Sequence, residues 1–343
     1  MKISSYWKSQ GADVQLLLSY KNISDYDQVF ISKVFLDTHI DNKILKHENV
    51  KYGGTGFFYD KAPPLPDEIE HSMPDYHLYD SWVADMIASG CKPINLQYYT
   101  DFSIGFTTRG CIRGCSFCVN QHYRASKRHS PISEFFDPSR KHICLLDDNV
   151  FACKEWKAIF DDLNSTGRKF QYKQGLDERL LTAEKCETLF GSKWIGDYIF
   201  AFDNIKDKKI IVEKLHLLRE YTNTIPKFYV FCAFNHNDPD NYSDDFWKQD
   251  IVDLFERIDI LRNYKCLPYI MRYKDYESSP YRGMYITIAR WCNQPNFFKK
   301  KTFHEYVRDS NGVRSAAYRY VMDFETKYPG IAANYFDTKR TDW

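Results

Sequence analysis

Thr107-Thr108-Arg109-Gly110-Cys111-Ile112-Arg113-Gly114-Cys115-Ser116-Phe117-Cys118 is the stretch on which the reading of this chain turns. Of ten cysteines, three crowd into the segment 111–118 with the spacing C-x3-C-x2-C, and the other seven stand singly. Three thiolates so close in sequence can converge on one soft metal centre. The count of three is informative. A structural zinc needs a fourth ligand to close its tetrahedron, and His122 or His129 downstream could supply one. A [4Fe–4S] cluster held by three cysteines instead leaves one iron open to an exogenous ligand. Arg109 and Arg113 beside the thiols favour thiolates and an anionic ligand.

Working outward, the motif follows the first of six candidate strands: Phe102–Thr107, His142–Leu146, Phe170–Lys173, Tyr198–Phe202, Phe228–Ala233 and Leu267–Met271. Helical patterns lie between them at Glu155–Leu163, Thr182–Leu189, Lys208–Tyr221 and Asp250–Asn263, with Thr182 an acceptable N-cap. Strands alternating with helices imply a parallel sheet, because parallel neighbours need a crossover connection. Six units in about 170 residues are too few for a closed eight-fold barrel. The expected fold is α/β: a partial (β/α)6 TIM-like barrel preceded by a small Rossmann-like domain. The expected boundaries are 1–95 for that small domain with its Pro-rich strap, 96–280 for the barrel and 281–343 for a C-terminal helical extension. Ligands of such folds gather at the C-terminal ends of the strands.

Before residue 60, Asp13-Val-Gln-Leu-Leu-Leu and Gln28-Val-Phe-Ile-Ser read as buried strands, and Lys51-Tyr-Gly-Gly-Thr-Gly-Phe must turn tightly. The stretch from Lys61 to Asp80 holds four prolines and reads as a linker. The basic, aromatic tail from Phe297 reads as a solvated amphipathic helix.

The apolar fraction is 43% and the charged fraction 27%, which excludes disordered and low-complexity classes. A net charge of +1 gives no global reason for a nucleic-acid or membrane-surface partner. No apolar run approaches the roughly 18 to 20 residues of a membrane helix, and MKISSYWKSQGADVQ has no secretory core. A cytoplasmic protein with no membrane partner is expected, and in that reducing setting the cysteines are not a disulfide framework.

The form T-x-R-G-C-x3-C-x2-C, with Phe117 before the third cysteine, resembles the radical S-adenosylmethionine (SAM) superfamily. The T-x-R-G portion is most similar to the branch of cobalamin-binding-type radical enzymes and methylthiotransferases. The resemblance implies that Cys111, Cys115 and Cys118 hold a [4Fe–4S] cluster whose fourth iron is chelated by SAM, with Phe117 against the adenine. One electron, from a donor such as flavodoxin or ferredoxin, would cleave the sulfonium to methionine and a 5′-deoxyadenosyl radical. That radical would take a hydrogen from an unidentified peptide, RNA or small-molecule substrate.

Polar residues mark five successive strand ends. Asp147 and Asp148 leave the second strand, where consecutive acids often only form a turn or cap; the resemblance assigns them the SAM amino group. Gln174, Asp177 and Arg179 follow the third, and Arg179 pairing with Asp177 is an equally cheap reading. Asp203 and Asn204 end the fourth, where relatives contact the ribose or the methionyl carboxylate. Asn235 and His236 follow the fifth, and Arg272, Tyr273 and Asp275 the sixth. Cys144, Cys232 and Cys292 read as buried thiols.

The same branch often carries an N-terminal cobalamin domain. Asp37-Thr-His39-Ile-Asp-Asn42 is similar to D-x-H-x-x-G but ends in Asn, so the domain reads as a degenerate relative that has lost the corrin. The order Gly53-Gly-Thr-Gly, Pro74-Asp-Tyr, cysteine motif, Asp147-Asp-Asn, Gln174-Gly-Leu-Asp and Ala289-Arg-Trp also resembles a set of bacterial and phage radical proteins. Two alternatives stay open. One is a cobalamin-dependent radical SAM methyltransferase with His39 as cobalt ligand. The other is a zinc-stabilised nucleic-acid-binding module using the basic run Arg109, Arg113, Arg124, Lys127 and Arg128.

Overall fold

The computed structural model describes residues 1–120, 123–340 and 342–343. The chain is mixed α/β, built on short parallel strand sets rather than a closed barrel or a Rossmann domain. It divides into two compact units, Met1–Phe170 and Gln171–Trp343, each considered by itself. No helix among the described residues is long and apolar enough to cross a membrane.

In the first unit, β1 (Val29–Ser32) pairs in parallel with β2 (Val50–Gly53), Val29 opposite Val50. Ile23, Val29 and Ile31 form their small core. This pair and a few short helices are all the regular structure before residue 60, apart from the helix Lys2–Ser9, so a Rossmann-like domain is not shown there. Asp13–Leu18 is a correction: it forms no strand, none of its residues is buried, and Leu18 is 66% exposed. Its apolar content matches a strand, but no neighbouring strand takes up its backbone hydrogen bonds.

The Pro-rich segment is more than a linker. Its Tyr76 is buried, receives the Ile104 N–H at 2.7 Å and donates to the Phe135 carbonyl at 2.7 Å. The Arg140 guanidinium lies 4.2 Å from the Tyr76 ring and donates to the carbonyls of Tyr76, Tyr99 and Phe102. These bonds fasten the segment to β3 (Phe102–Gly105). A hairpin stem follows, β4 (Thr108–Arg109) antiparallel to β5 (Lys127–Arg128), and the cysteines occupy the loop it closes. Next comes β6 (His142–Leu145), parallel to β3 with Phe102 opposite His142. Third in that sheet is β7 (Lys169–Tyr172), within which the first unit ends.

The second unit carries β8 (Ile199–Ala201), β9 (Lys227–Cys232) and β10 (Leu267–Arg272) in one parallel sheet with β9 central. Phe228, Val230 and Cys232 alternate inward along β9, as period-two patterning requires. The helix Lys208–Tyr221 has the bounds its sequence pattern predicts. The helix predicted from Asp250 instead begins at Asp244, because Ser243 caps it through the Phe246 N–H and Trp247 extends the buried stripe Ile251, Leu254, Ile258, Leu261. Thr182 does cap the helix Ala183–Gly191, accepting from the Lys185 N–H.

The free edge of β10 is blunted. Asn293 accepts from the Ile270 N–H at 2.6 Å and donates to the Ile270 carbonyl at 3.1 Å, standing in for a neighbouring strand. The basic tail is two helices, Pro295–Lys300 and Phe303–Asn311, split by a Thr302–Glu305 capping box. It is packed as well as amphipathic: Phe298, Phe303 and Val307 are buried.

Candidate functional site

The cysteine loop is held from the end of β6. Asp147, 3% exposed, accepts from the N–H of Thr107 at 2.9 Å and of Thr108 at 2.6 Å, and from both threonine hydroxyls. Burial pushes its carboxyl up to about 6, while these donors pull the other way. Asp148 ties the two ends of the loop. Its Oδ2 accepts from the Gly110 N–H at 2.9 Å and its Oδ1 from the Asn120 side-chain amide. The two acids expected to meet a cofactor amine are therefore both engaged in shaping the loop. Gly110 makes the tight entry: at φ 94° an added Cβ would lie 2.3 Å from the Ala125 carbonyl oxygen.

Cys111, Cys115 and Cys118 form no disulfide and are each half-buried. Cys111 Sγ accepts from the Arg113 N–H and from the Asn149 side-chain amide, each at 3.4 Å, and Cys118 Sγ accepts from the Asn120 N–H at 3.4 Å. The Cys118 N–H donates to the Cys115 carbonyl at 2.9 Å, a turn that sets the last two thiols three residues apart. Burial pushes the Cys118 thiol up, Asp148 and Cys111 add to the rise, and the Asn120 N–H opposes it. Phe117 is half-buried, and its carbonyl accepts from the Tyr59 hydroxyl at 2.9 Å.

Among the described residues, no three His, Cys, Asp or Glu side chains stand as a metal-holding group. His122 lies outside the described residues. His129 is engaged elsewhere: its Nε2 is 3.0 Å from Glu70 Oε1. The same Glu70 oxygen is 3.3 Å from Arg109 and 3.5 Å from Lys2. Burial works to raise the Glu70 carboxyl, but the His129 hydrogen bond and the Lys2 and Arg109 charges outweigh it and hold the group at about 2. Glu70 thus joins the N-terminal helix, the Pro-rich segment, β4 and the residue that follows β5. The basic run is in part neutralised, with Arg109 on Glu70 and Arg128 on Asp162.

The remaining candidates, apart from His39, belong to the second unit. Gln174 is exposed. Arg179 bridges Asp177 at 2.8 Å and Asp207 at 2.7 Å, the structural pairing the sequence allowed. Asp203 Oδ1 accepts from the Phe231 N–H at 3.1 Å; burial pushes its carboxyl up to about 6, with Arg257 opposing. Asn204 is a cap, accepting from the Lys206 N–H at 3.0 Å. Asn235 closes its own loop by accepting from the N–H groups of Asn237 and Asp238. Arg257, 2% exposed, donates to the carbonyls of Phe202, Asp203 and Phe231 and so binds the ends of β8 and β9. Arg272 is exposed at the end of β10, its guanidinium 4.4 Å from the Tyr276 ring centre. Cys292 is fully enclosed and burial drives its thiol far up, as for an inert core cysteine. His39 lies in an exposed irregular segment.

Three participants were not singled out from sequence: Glu70, Asn120 and Asn149. Asn149 sits in the quoted Asp147-Asp-Asn run, so its place after a strand was a usable signal. Glu70 and Asn120 carried none, because only folding brings residue 70 to residues 109 and 129. No family model, curated protein or solved structure matches this chain.

Proposed function

We propose that this protein is a radical SAM enzyme in which Cys111, Cys115 and Cys118 hold a [4Fe–4S] cluster and SAM takes the remaining iron. The observation that carries the reading is the clasped loop: three thiols on eight residues, tied at both ends by Asp148, with N–H donors already on two sulfurs. The donor set fits in its chemistry, since thiolates are the ligands of such clusters and hydrogen bonds to their sulfurs tune them. When bound, the cluster and SAM supply a 5′-deoxyadenosyl radical by one-electron cleavage of the sulfonium.

The chain's own residues prepare the loop for that load. Asp147 fixes its root through Thr107 and Thr108, and Asp148 sets its span. The Arg113 and Asn120 N–H groups and the Asn149 amide offset charge on two sulfurs. The reading requires the three sulfurs to converge on one cluster. A partial barrel, which parallel neighbours in chain order such as β3-β6-β7 would suit, belongs to the same proposal. A flavodoxin- or ferredoxin-type reductant belongs to the same proposal. Neither alternative is favoured, because His129 is bonded to Glu70 and His39 sits in an exposed irregular segment.

The test is anaerobic reconstitution with iron and sulfide, followed by dithionite and SAM. The expected product is a brown protein with about four irons per chain and formation of 5′-deoxyadenosine. Changing any one of Cys111, Cys115 and Cys118 to Ala abolishes both, while Cys186→Ala in the second unit retains both. A colourless zinc protein yielding no 5′-deoxyadenosine overturns the assignment.

A further inference from the structure

A cavity of about 410 Å³ opens in the second unit beside the end of β10, and two arginines line it. Arg272 enters from the last residue of the strand, its guanidinium laid against the Tyr276 ring at 4.4 Å. Arg290 comes from the last turn of the helix Arg282–Cys292, with Ile286 one turn earlier and the adjacent Ala289 lining the same cavity. Residues 286, 289 and 290 share one helix face by the three- and four-residue rule. The floor is rigid, because Asn293 is locked to the Ile270 backbone.

The charge of this cavity is uncompensated. Arg179 and Arg262 in the same unit each pair with a carboxylate. Neither Arg272 nor Arg290 has a carboxylate at ion-pair distance among the described residues. Stacking on Tyr276 also limits the freedom Arg272 would lose on binding.

We infer that this cavity binds a small molecule carrying a phosphate group. A phosphate dianion neutralises both guanidiniums at once and accepts their forked N–H groups bidentately, whereas a single carboxylate neutralises only one. Ile286 and Ala289 give the rest of the ligand an apolar wall, and the volume falls within the range of small-molecule sites. The site takes Arg272 out of the SAM-binding set and stands independently of the cysteine chemistry.

The full chain as purified, without added iron, is titrated calorimetrically with inorganic phosphate, acetate and SAM at low salt. Saturable phosphate binding is expected, weakened about tenfold or more by Arg272→Gln and by Arg290→Gln and lost in the double variant. Acetate binds at least about tenfold more weakly, and added NaCl weakens phosphate binding. Ile286→Trp fills the cavity without removing a charge and also blocks phosphate. Circular dichroism and thermal melting show that each variant remains folded. No saturable phosphate heat, unchanged affinity in both arginine variants, or acetate binding as tightly as phosphate overturns the inference. So does SAM binding that is lost in both arginine variants and undisturbed by phosphate. Because no iron is present, none of these outcomes depends on the cluster.

Discussion

Replacing Glu70 by Gln tests whether the stem of the cysteine loop is fastened by charge. The Glu70 carboxyl lies at about 2 in the folded chain against an ordinary 4.5, with its side chain only 17% exposed. A difference of that size makes the ionised group worth about 3 kcal/mol to the fold. Gln keeps one acceptor oxygen, so the net loss is about 2 kcal/mol, or about a thirtyfold rise in local opening. The reporter is the His129 amide, which donates to the Thr107 carbonyl at 2.9 Å across the stem. Hydrogen exchange at neutral pH should show it about thirtyfold less protected in Glu70→Gln. The pH sign follows from the depressed carboxyl. Its contribution is complete above pH 4.5 and lost as pH falls towards 2, so urea midpoints of the two proteins should converge in that window. Unchanged exchange at His129, or an equal gap at pH 7 and pH 3, would refute the reasoning.

Gly110→Ala forces a positive φ on a residue whose Cβ meets the Ala125 carbonyl oxygen at 2.3 Å. It should destabilise the first unit by at least about 2 kcal/mol and lower iron loading, whereas Gly11→Ala, with open space around it, costs about 1 kcal/mol. Equal melting shifts in the two variants would contradict this. Asp203 is raised from 3.8 to about 6. The folded state therefore holds the proton more tightly, and stability declines as pH rises through that window. For this partly exposed group the decline is about 1 to 2 kcal/mol. Asp203→Asn should flatten the dependence, and a melting profile with the same slope as the parent would rule the cause out.

Much of the second unit was legible locally. The alternation in Lys227–Cys232 and the three- and four-residue spacing in Lys208–Tyr221 are periodicities that sequence displays directly, and Thr182 announced its cap. Asp13–Leu18 misled because strand formation needs a partner that no local pattern supplies. The start at Asp244 was missed because its cap Ser243 and the buried Trp247 lie upstream of the pattern read from Asp250.

The spacing of Cys111, Cys115 and Cys118 was written in the chain, because it fixes how far apart along the backbone the three thiols stand. The jobs of the acids were not. Asp147 and Asp148 look alike in sequence, yet one is buried under four donors and the other spans the loop from Gly110 to Asn120. Glu70 acquired its role only when folding placed it beside Lys2, Arg109 and His129, residues up to 68 positions away. Local periodicity and spacing are properties of neighbours along the backbone. Burial and charge pairing depend on distances in space, which only the folded chain sets.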